Sequence, residues 1–380
     1  MASRSCRTAS SPAARSPSGT SPSARLPADP VLAAVTVSKE RIEYQNRPDP
    51  EASAGHALVS IRHVTLCGTD LHIWEDDYAT DLPIIQGHEF VGVIEQLTEA
   101  DAASSPFSVG DRVAVSPMFY CGNCYACRAG RVNACTHMSI YGCYEDGALA
   151  TLMSIPLEKL YPVPANLPLE IAPLCEPMSI AMQAVNRGRP VAGEKALVLG
   201  SGPIGLLATM YLSDLGVHVI AADTVEERCA FARQFGALDT ILIDPASEFP
   251  SAQTAAMISE WTDGDGPSLV IEATGQPSSL QNALGIVTTT GRIVLVGISD
   301  REAQLSMRVV PIKEVDLIGS RNSMNLIGEA LEMIDLHQSE ARSLITHRFD
   351  FDDLGTAFET MRSRTERVGK VAIDMPASRP

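Results

Sequence analysis

The chain has 380 residues, of which 45% are apolar, and a formal charge of −17. That length suits two domains with separate cores, and so acidic a surface argues against nucleic acid and anionic lipid as partners. No apolar run approaches the ~20 residues that span a bilayer, so no membrane segment is expected.

Residues 1–30 are rich in Ser, Pro, Ala and Arg, with no acid before Asp29. A disordered leader is expected there. Its basic, acid-poor character also fits an organelle transit peptide, but the prolines oppose an amphipathic helix. A plain tail on a cytoplasmic protein is the preferred reading. From 31 to 174, short β-like runs such as Ala57-Leu-Val-Ser-Ile-Arg and Asp111-Arg-Val-Ala-Val alternate with Pro and Gly turns, which predicts a mostly β domain. From about Ala196 the rhythm changes to four- to six-residue apolar strands separated by helical stretches. This α/β alternation predicts a doubly wound parallel sheet. The nucleotide-binding domain is assigned to 175–310, and residues 311–380 are expected to complete the first domain.

Within the second region, Gly200-Ser-Gly202-Pro203-Ile204-Gly205 follows a strand and opens a helix, the context a dinucleotide-binding loop needs. Gly200 allows the tight turn, Gly202 the approach of a pyrophosphate, and Gly205 close packing of helix on strand. Asp223, about twenty residues on, is placed to accept hydrogen bonds from the adenosine ribose. It would also repel a 2′-phosphate, and no cation intervenes before Arg228, so NAD is expected over NADP. Arg228 and Thr274 are further candidate cofactor contacts.

Nine cysteines are present, and four of them crowd between Cys121 and Cys135. The C-x2-C-x2-C-x7-C spacing of Cys121, Cys124, Cys127 and Cys135 can enclose one tetrahedral zinc with no open position, a structural site; paired disulfides are the alternative. A second, dispersed set comprises Cys67, His88 and Glu89. Thiolate, imidazole and carboxylate are ligand types that leave zinc an open position, which marks a catalytic site. Asp70 is the expected hydrogen-bond partner of His88.

These motifs, in this order, resemble the zinc-containing medium-chain alcohol dehydrogenases along nearly the whole chain after the leader. The resemblance implies a GroES-like catalytic domain with an inserted Rossmann domain and an active site in the cleft between them. It also implies two zinc ions per chain, NAD, a small-molecule alcohol substrate and a homo-oligomer, dimer or tetramer. Glu176-Pro177, His72-Ile-Trp74-Glu75 and Gly319-Ser-Arg321-Asn-Ser look most like the sorbitol, threonine and sugar-acid dehydrogenase branch. In that branch the counterpart of Glu176 binds zinc directly or through water; here the neighbouring Cys175 is the alternative fourth ligand. By the same resemblance Thr69 would hydrogen-bond the reacting oxygen and His72 would carry its proton outward. Trp74 and Arg321 are candidate substrate contacts, a structural ion pair being the alternative for Arg321. The implied activity is oxidation of a secondary alcohol on a polyol or sugar acid. An L-threonine 3-dehydrogenase-like activity and a non-catalytic nucleotide-binding protein are the alternatives.

Overall fold

A computed structural model describes residues 31–247, 249–363 and 368–376. The expected disordered leader lies outside the described residues. Two sheet systems divide the chain, and the first gathers distant segments. The long strand His56–Leu66 pairs antiparallel with Glu89–Gln96, Leu152–Pro156 and the C-terminal Lys370–Asp374. Ile345–Asp350 then lies parallel to that last strand. The register sets Thr65 opposite Glu89 and Leu66 opposite Val371, and one further step brings Lys370 beside Cys67. Three strand ends thus deliver Cys67, Glu89 and Lys370 to one corner of the sheet.

The second sheet has six strands, all parallel. Lys195–Leu199 and Leu269–Glu272 lie side by side at its centre, with Asp239–Leu242 at one edge and Asp316–Gly319 at the other. The chain leaves Leu199 at the point where strand order reverses, which is where open α/β sheets bind ligands. Asp316–Gly319 corrects one domain boundary. It is the sixth strand of this sheet, so the chain rejoins the first sheet only at Ile345 and not at 311. The strand is short and solvent-facing, which makes its apolar pattern too weak to assign from sequence.

The helix Cys175–Gly188 joins the halves. Met178, Ala181, Met182 and Val185 recur at i, i+3, i+4 and i+7 and are all buried. That stripe packs mainly on the nucleotide half, against the helices Pro203–Asp214 and Ile327–Leu336 and the strand Arg292–Leu295. Its core also reaches Val91 and Ala114 of the first sheet. No helix among the described residues is long and apolar enough to cross a membrane.

Candidate active site

Cys67 follows the strand His56–Leu66 and stands at the N-terminus of the short helix Gly68–Trp74. The ligand atoms of Cys67, His88 and Glu89 all lie within 4.8 Å of one another, close enough to share one ion. Asp70 organises two of these residues. Its fully buried carboxylate accepts from the Cys67 N–H at 2.8 Å and the Gly87 N–H at 3.3 Å, and lies 3.5 Å from His88 Nδ1. Burial alone would raise the Asp70 carboxyl and lower the imidazole; their pairing overrides it, so Asp70 is held below the carboxylate range and His88 well above 6.5. The Asp70 carboxylate facing Nδ1 keeps a proton on that nitrogen, so a metal would be taken by Nε2, in place of that atom's own proton.

Glu89 is just as constrained. Thr65 donates its hydroxyl to Oε2, and Lys370 Nζ lies 2.5 Å from Oε1. Neither Lys370 nor Thr65 carries a motif that sequence reasoning recognises; the strand register alone makes them partners. Cys143 was likewise unforeseen, with its sulfur 3.9 Å from His88 Nδ1.

The structure separates Cys175 from Glu176. Cys175 is 1% exposed inside the apolar core, and burial followed by the charges of Glu176 and Glu89 pushes its thiol up. Glu176 is half-buried and faces the cluster. Burial first, then Glu89 and Asp70, raise its carboxyl to about 7, against the opposing effects of His88 and Lys370. It does not join the three atoms that lie within 4.8 Å of one another.

Thr69 Oγ1 is 3.9 Å from the Cys67 sulfur. His72 is exposed, with Nδ1 2.8 Å from Asp77. Trp74 does not fit a substrate role. It is 3% exposed, stacked on Phe358 with ring centroids 5.2 Å apart, and covered by the Arg362 guanidinium. One helical turn beyond Asp70 the same buried face continues, and an indole there fills core. Arg321 is exposed, and its guanidinium has no ion-pair partner among the described residues. Its carbonyl accepts from Asn133 Nδ2.

The four-cysteine lobe is preformed. Sulfur separations of 3.5 Å for Cys124–Cys127, 3.8 Å for Cys124–Cys135 and 3.5 Å for Cys121–Cys135 are far beyond a disulfide bond. They match the ~3.8 Å edge of a tetrahedron with ~2.3 Å zinc–sulfur bonds. Backbone N–H groups of Cys127 and Thr136 lower the Cys124 thiol to about 5, while burial and the neighbouring sulfurs raise Cys127. Four thiols this close together are a donor set that a single divalent cation would hold as thiolates.

The glycine loop has the shape of a cradle. A Cβ at Gly205 would meet the Gly200 carbonyl at 1.7 Å, and one at Gly200, where φ is +96, would meet the Thr274 methyl at 2.7 Å. A Cβ at Gly202 would meet nothing within 4 Å, so open space stands where a diphosphate would sit. Pro203 and Ile204 begin the helix Pro203–Asp214 directly behind it. Asp223 is tied to the loop, accepting from Ser201 N–H at 2.7 Å and Val225 N–H at 3.0 Å, with Arg228 at 4.0 Å. Glu272, which carries no motif, accepts from the Thr274 hydroxyl and from the N–H groups of Thr274 and Gly275. It fixes the turn facing Gly200.

Comparison with known proteins agrees with this geometry. Residues 53–165 match the alcohol dehydrogenase GroES-like domain and residues 203–338 the zinc-binding dehydrogenase domain. The chain is 32% identical to L-galactonate-5-dehydrogenase of Escherichia coli K12, covering 84% of this chain and 92% of that protein. It is 31% identical to L-threonine 3-dehydrogenase of Thermococcus kodakarensis over 85% of this chain and 92% of the relative. An alcohol dehydrogenase of E. coli CFT073, solved in complex with NADH, superposes with a TM-score of 0.80 at 29% identity, covering 91% of this chain and 99% of that one. Two family domains in sequence order and relatives matched over nearly their full length establish that the chain belongs to the zinc-type medium-chain alcohol dehydrogenases, a family of oxidoreductases.

Proposed function

We propose that the chain oxidises a secondary alcohol on a polyol, sugar acid or related polar substrate, with NAD as acceptor and zinc at Cys67, His88 and Glu89. The observation that carries this reading is the meeting of a thiol, an imidazole and a carboxylate within 4.8 Å in a chain that also holds a dinucleotide cradle. Bound zinc supplies Lewis acidity toward the substrate hydroxyl, and bound NAD supplies the hydride acceptor. The chain's residues do the rest. Asp70 and the Nδ1 proton orient His88, Lys370 and Thr65 fix Glu89, Thr69 receives the reacting hydroxyl's hydrogen bond, and His72 passes its proton toward solvent through Asp77. Cys67 and Glu89 already neutralise a divalent ion, so Glu176 is best read as a displaceable ligand that yields to a substrate with neighbouring oxygens. Arg321, exposed and with no ion-pair partner among the described residues, is the candidate to grip a carboxylate or several hydroxyls. The similarity to L-galactonate-5-dehydrogenase favours the sugar-acid reading, and that to L-threonine 3-dehydrogenase keeps an amino alcohol as the second.

NAD is favoured because a 2′-phosphate ~4 Å from Asp223 would meet repulsion on the order of 4 kcal/mol per unit charge at an effective dielectric of ~20. A homo-oligomer is favoured by the edge strand Asp316–Gly319, which has an open side, and by exposed apolar side chains nearby such as Met307 and Ile312.

The test is NADH formation against aldonates, polyols and amino alcohols, with a chelator control and a zinc count. Two zinc ions per chain and oxidation of a sugar acid support the reading. One zinc and no turnover would leave a nucleotide-binding protein without catalysis.

A further inference from the structure

The four-cysteine lobe meets the end of the nucleotide half around one buried side chain. Asn133 lies in the single turn Val132–Ala134, between Cys127 and Cys135, and is 1% exposed. Its Nδ2 donates to the Arg321 carbonyl at 2.7 Å, 188 residues away in the chain. The Asn322 amide answers it, donating to the Asn133 carbonyl at 3.4 Å and lying 3.1 Å from the Met138 sulfur. Asn322 turns the chain here with a left-handed φ of 47, a conformation that asparagine tolerates. The next hydroxyl, Ser323 Oγ, is 2.9 Å from Ser179 Oγ, and Ser179 donates to the Glu176 carbonyl at 2.6 Å. A continuous series of hydrogen bonds therefore runs from the cysteine lobe, through the Arg321 segment, to the backbone of Glu176.

Simple space-filling would not call for an amide at this position. Asn133 Oδ1 is buried with no hydrogen-bond partner among the described residues, and an unpaired buried acceptor is destabilising. The side chain carries that defect while keeping its bond to Arg321. Arg321 itself has no ionic anchor among the described residues, so its backbone is what fixes its place.

We propose that Asn133 is a positioning residue: the lobe, once a metal fixes its shape, holds Arg321 to Ser323 through Asn133 and so sets where the Arg321 guanidinium meets substrate. The inference rests on the reading of Arg321 as a substrate contact. It makes the lobe's metal a determinant of substrate affinity, with little bearing on hydride transfer.

Hydrogen exchange over residues 319–326 tests the clamp without any substrate. Exchange there is expected to rise about tenfold in Asn133→Ala, the effect of losing one buried hydrogen bond, and also in Cys124→Ser, which alone loses one zinc. Asn322→Gly keeps the left-handed turn and removes the reciprocal bond, so it gives the same readout should Asn133→Ala fold poorly. Tyr125→Ala, 81% exposed on the same lobe, is the control and is expected to change nothing. With an alcohol that the enzyme oxidises, KM should rise about tenfold in Asn133→Ala while kcat and the KM for NAD stay within about twofold. Unchanged exchange in Asn133→Ala and Asn322→Gly, with two zinc ions retained, overturns the clamp. Faster exchange with an unchanged alcohol KM overturns its role in substrate affinity. If no alcohol is oxidised, the functional reading fails by itself, and the exchange data still decide the clamp.

Discussion

Replacing Lys370 with methionine removes the ammonium that lies 2.5 Å from Glu89 Oε1 while nearly conserving side-chain volume. Glu89 is 1% exposed and Lys370 4%, so water cannot take over as partner. Breaking one side of a buried ion pair costs about 3–5 kcal/mol, because the remaining charge is stranded. The Thr65 hydroxyl still serves Oε2, which favours the lower end, about 3 kcal/mol. Burial would lower the Lys370 ammonium, but the facing Glu89 and Cys67 hold its pKa up, so the group is charged throughout the usable pH range. A bound zinc ion offers Glu89 a second counter-charge, so the loss should shrink by about half in the metal-loaded protein. Denaturant unfolding of Lys370→Met and the parent chain, each chelator-treated and zinc-loaded, reads both quantities. The pair Glu89→Gln with Lys370→Met should recover part of the loss in the metal-free state. Equal losses with and without zinc, or a metal-free loss below about 1 kcal/mol, would refute the electrostatic account and leave Lys370 as packing.

Gly205→Ala is expected to abolish NADH binding, followed by fluorescence titration, because its methyl would lie 1.7 Å from the Gly200 carbonyl and reshape the loop. Asp223→Asn removes the repulsion toward a 2′-phosphate, ~4 kcal/mol per unit charge, and should lower the NAD/NADP ratio of kcat/KM by about 1000-fold; an unchanged ratio would show that the discrimination lies elsewhere. Glu176 predicts a pH effect in the chelator-treated chain. Its carboxyl is raised from 4.5 to about 7, so the folded chain keeps a proton that the unfolded chain releases. Stability from this source is full below about 4.5 and is lost as pH climbs through about 7. His88, raised by Asp70, acts in the same direction. Glu176→Gln should therefore reduce, without removing, the fall in stability between pH 5 and pH 8, by ~2 kcal/mol after allowing for its partial exposure.

The four-cysteine spacing, the His88-Glu89 pair and the nucleotide loop are legible in the sequence because each is short-range chemistry. Cys121 to Cys135, His88-Glu89 and Gly200 to Gly205 must keep fixed local spacings to work, and spacing is what a sequence displays. Lys370 follows no such rule. It reaches Glu89 only because Lys370–Asp374 pairs with His56–Leu66, a contact over 281 positions. Glu272 and Asn133 escaped for a similar reason: a lone carboxylate at a strand end and a lone amide in a cysteine loop look like ordinary surface residues until partners arrive. Trp74 misled in the opposite way. It is a candidate substrate contact from the His72-Ile-Trp74-Glu75 run that carries the resemblance, yet on a helix each residue turns by about 100°, and its stretch of the face is directed at Phe358. The misplaced boundary at 311 reflects an exposed edge strand, where burial imposes no alternation to read.

The helix Cys175–Gly188 packs mainly on the nucleotide half, while Cys67, His88 and Glu89 belong to the sheet opposite. Glu176 stands in the first turn of that helix, so its carboxylate is carried by a different element from those that hold Cys67, His88 and Glu89. Were one half to turn against the other, its reach toward an ion held by those three would change while theirs would hardly change. Under the proposed zinc reading, coordination number would follow the angle between the halves, and a ligand that drew them together would change what the metal could accept.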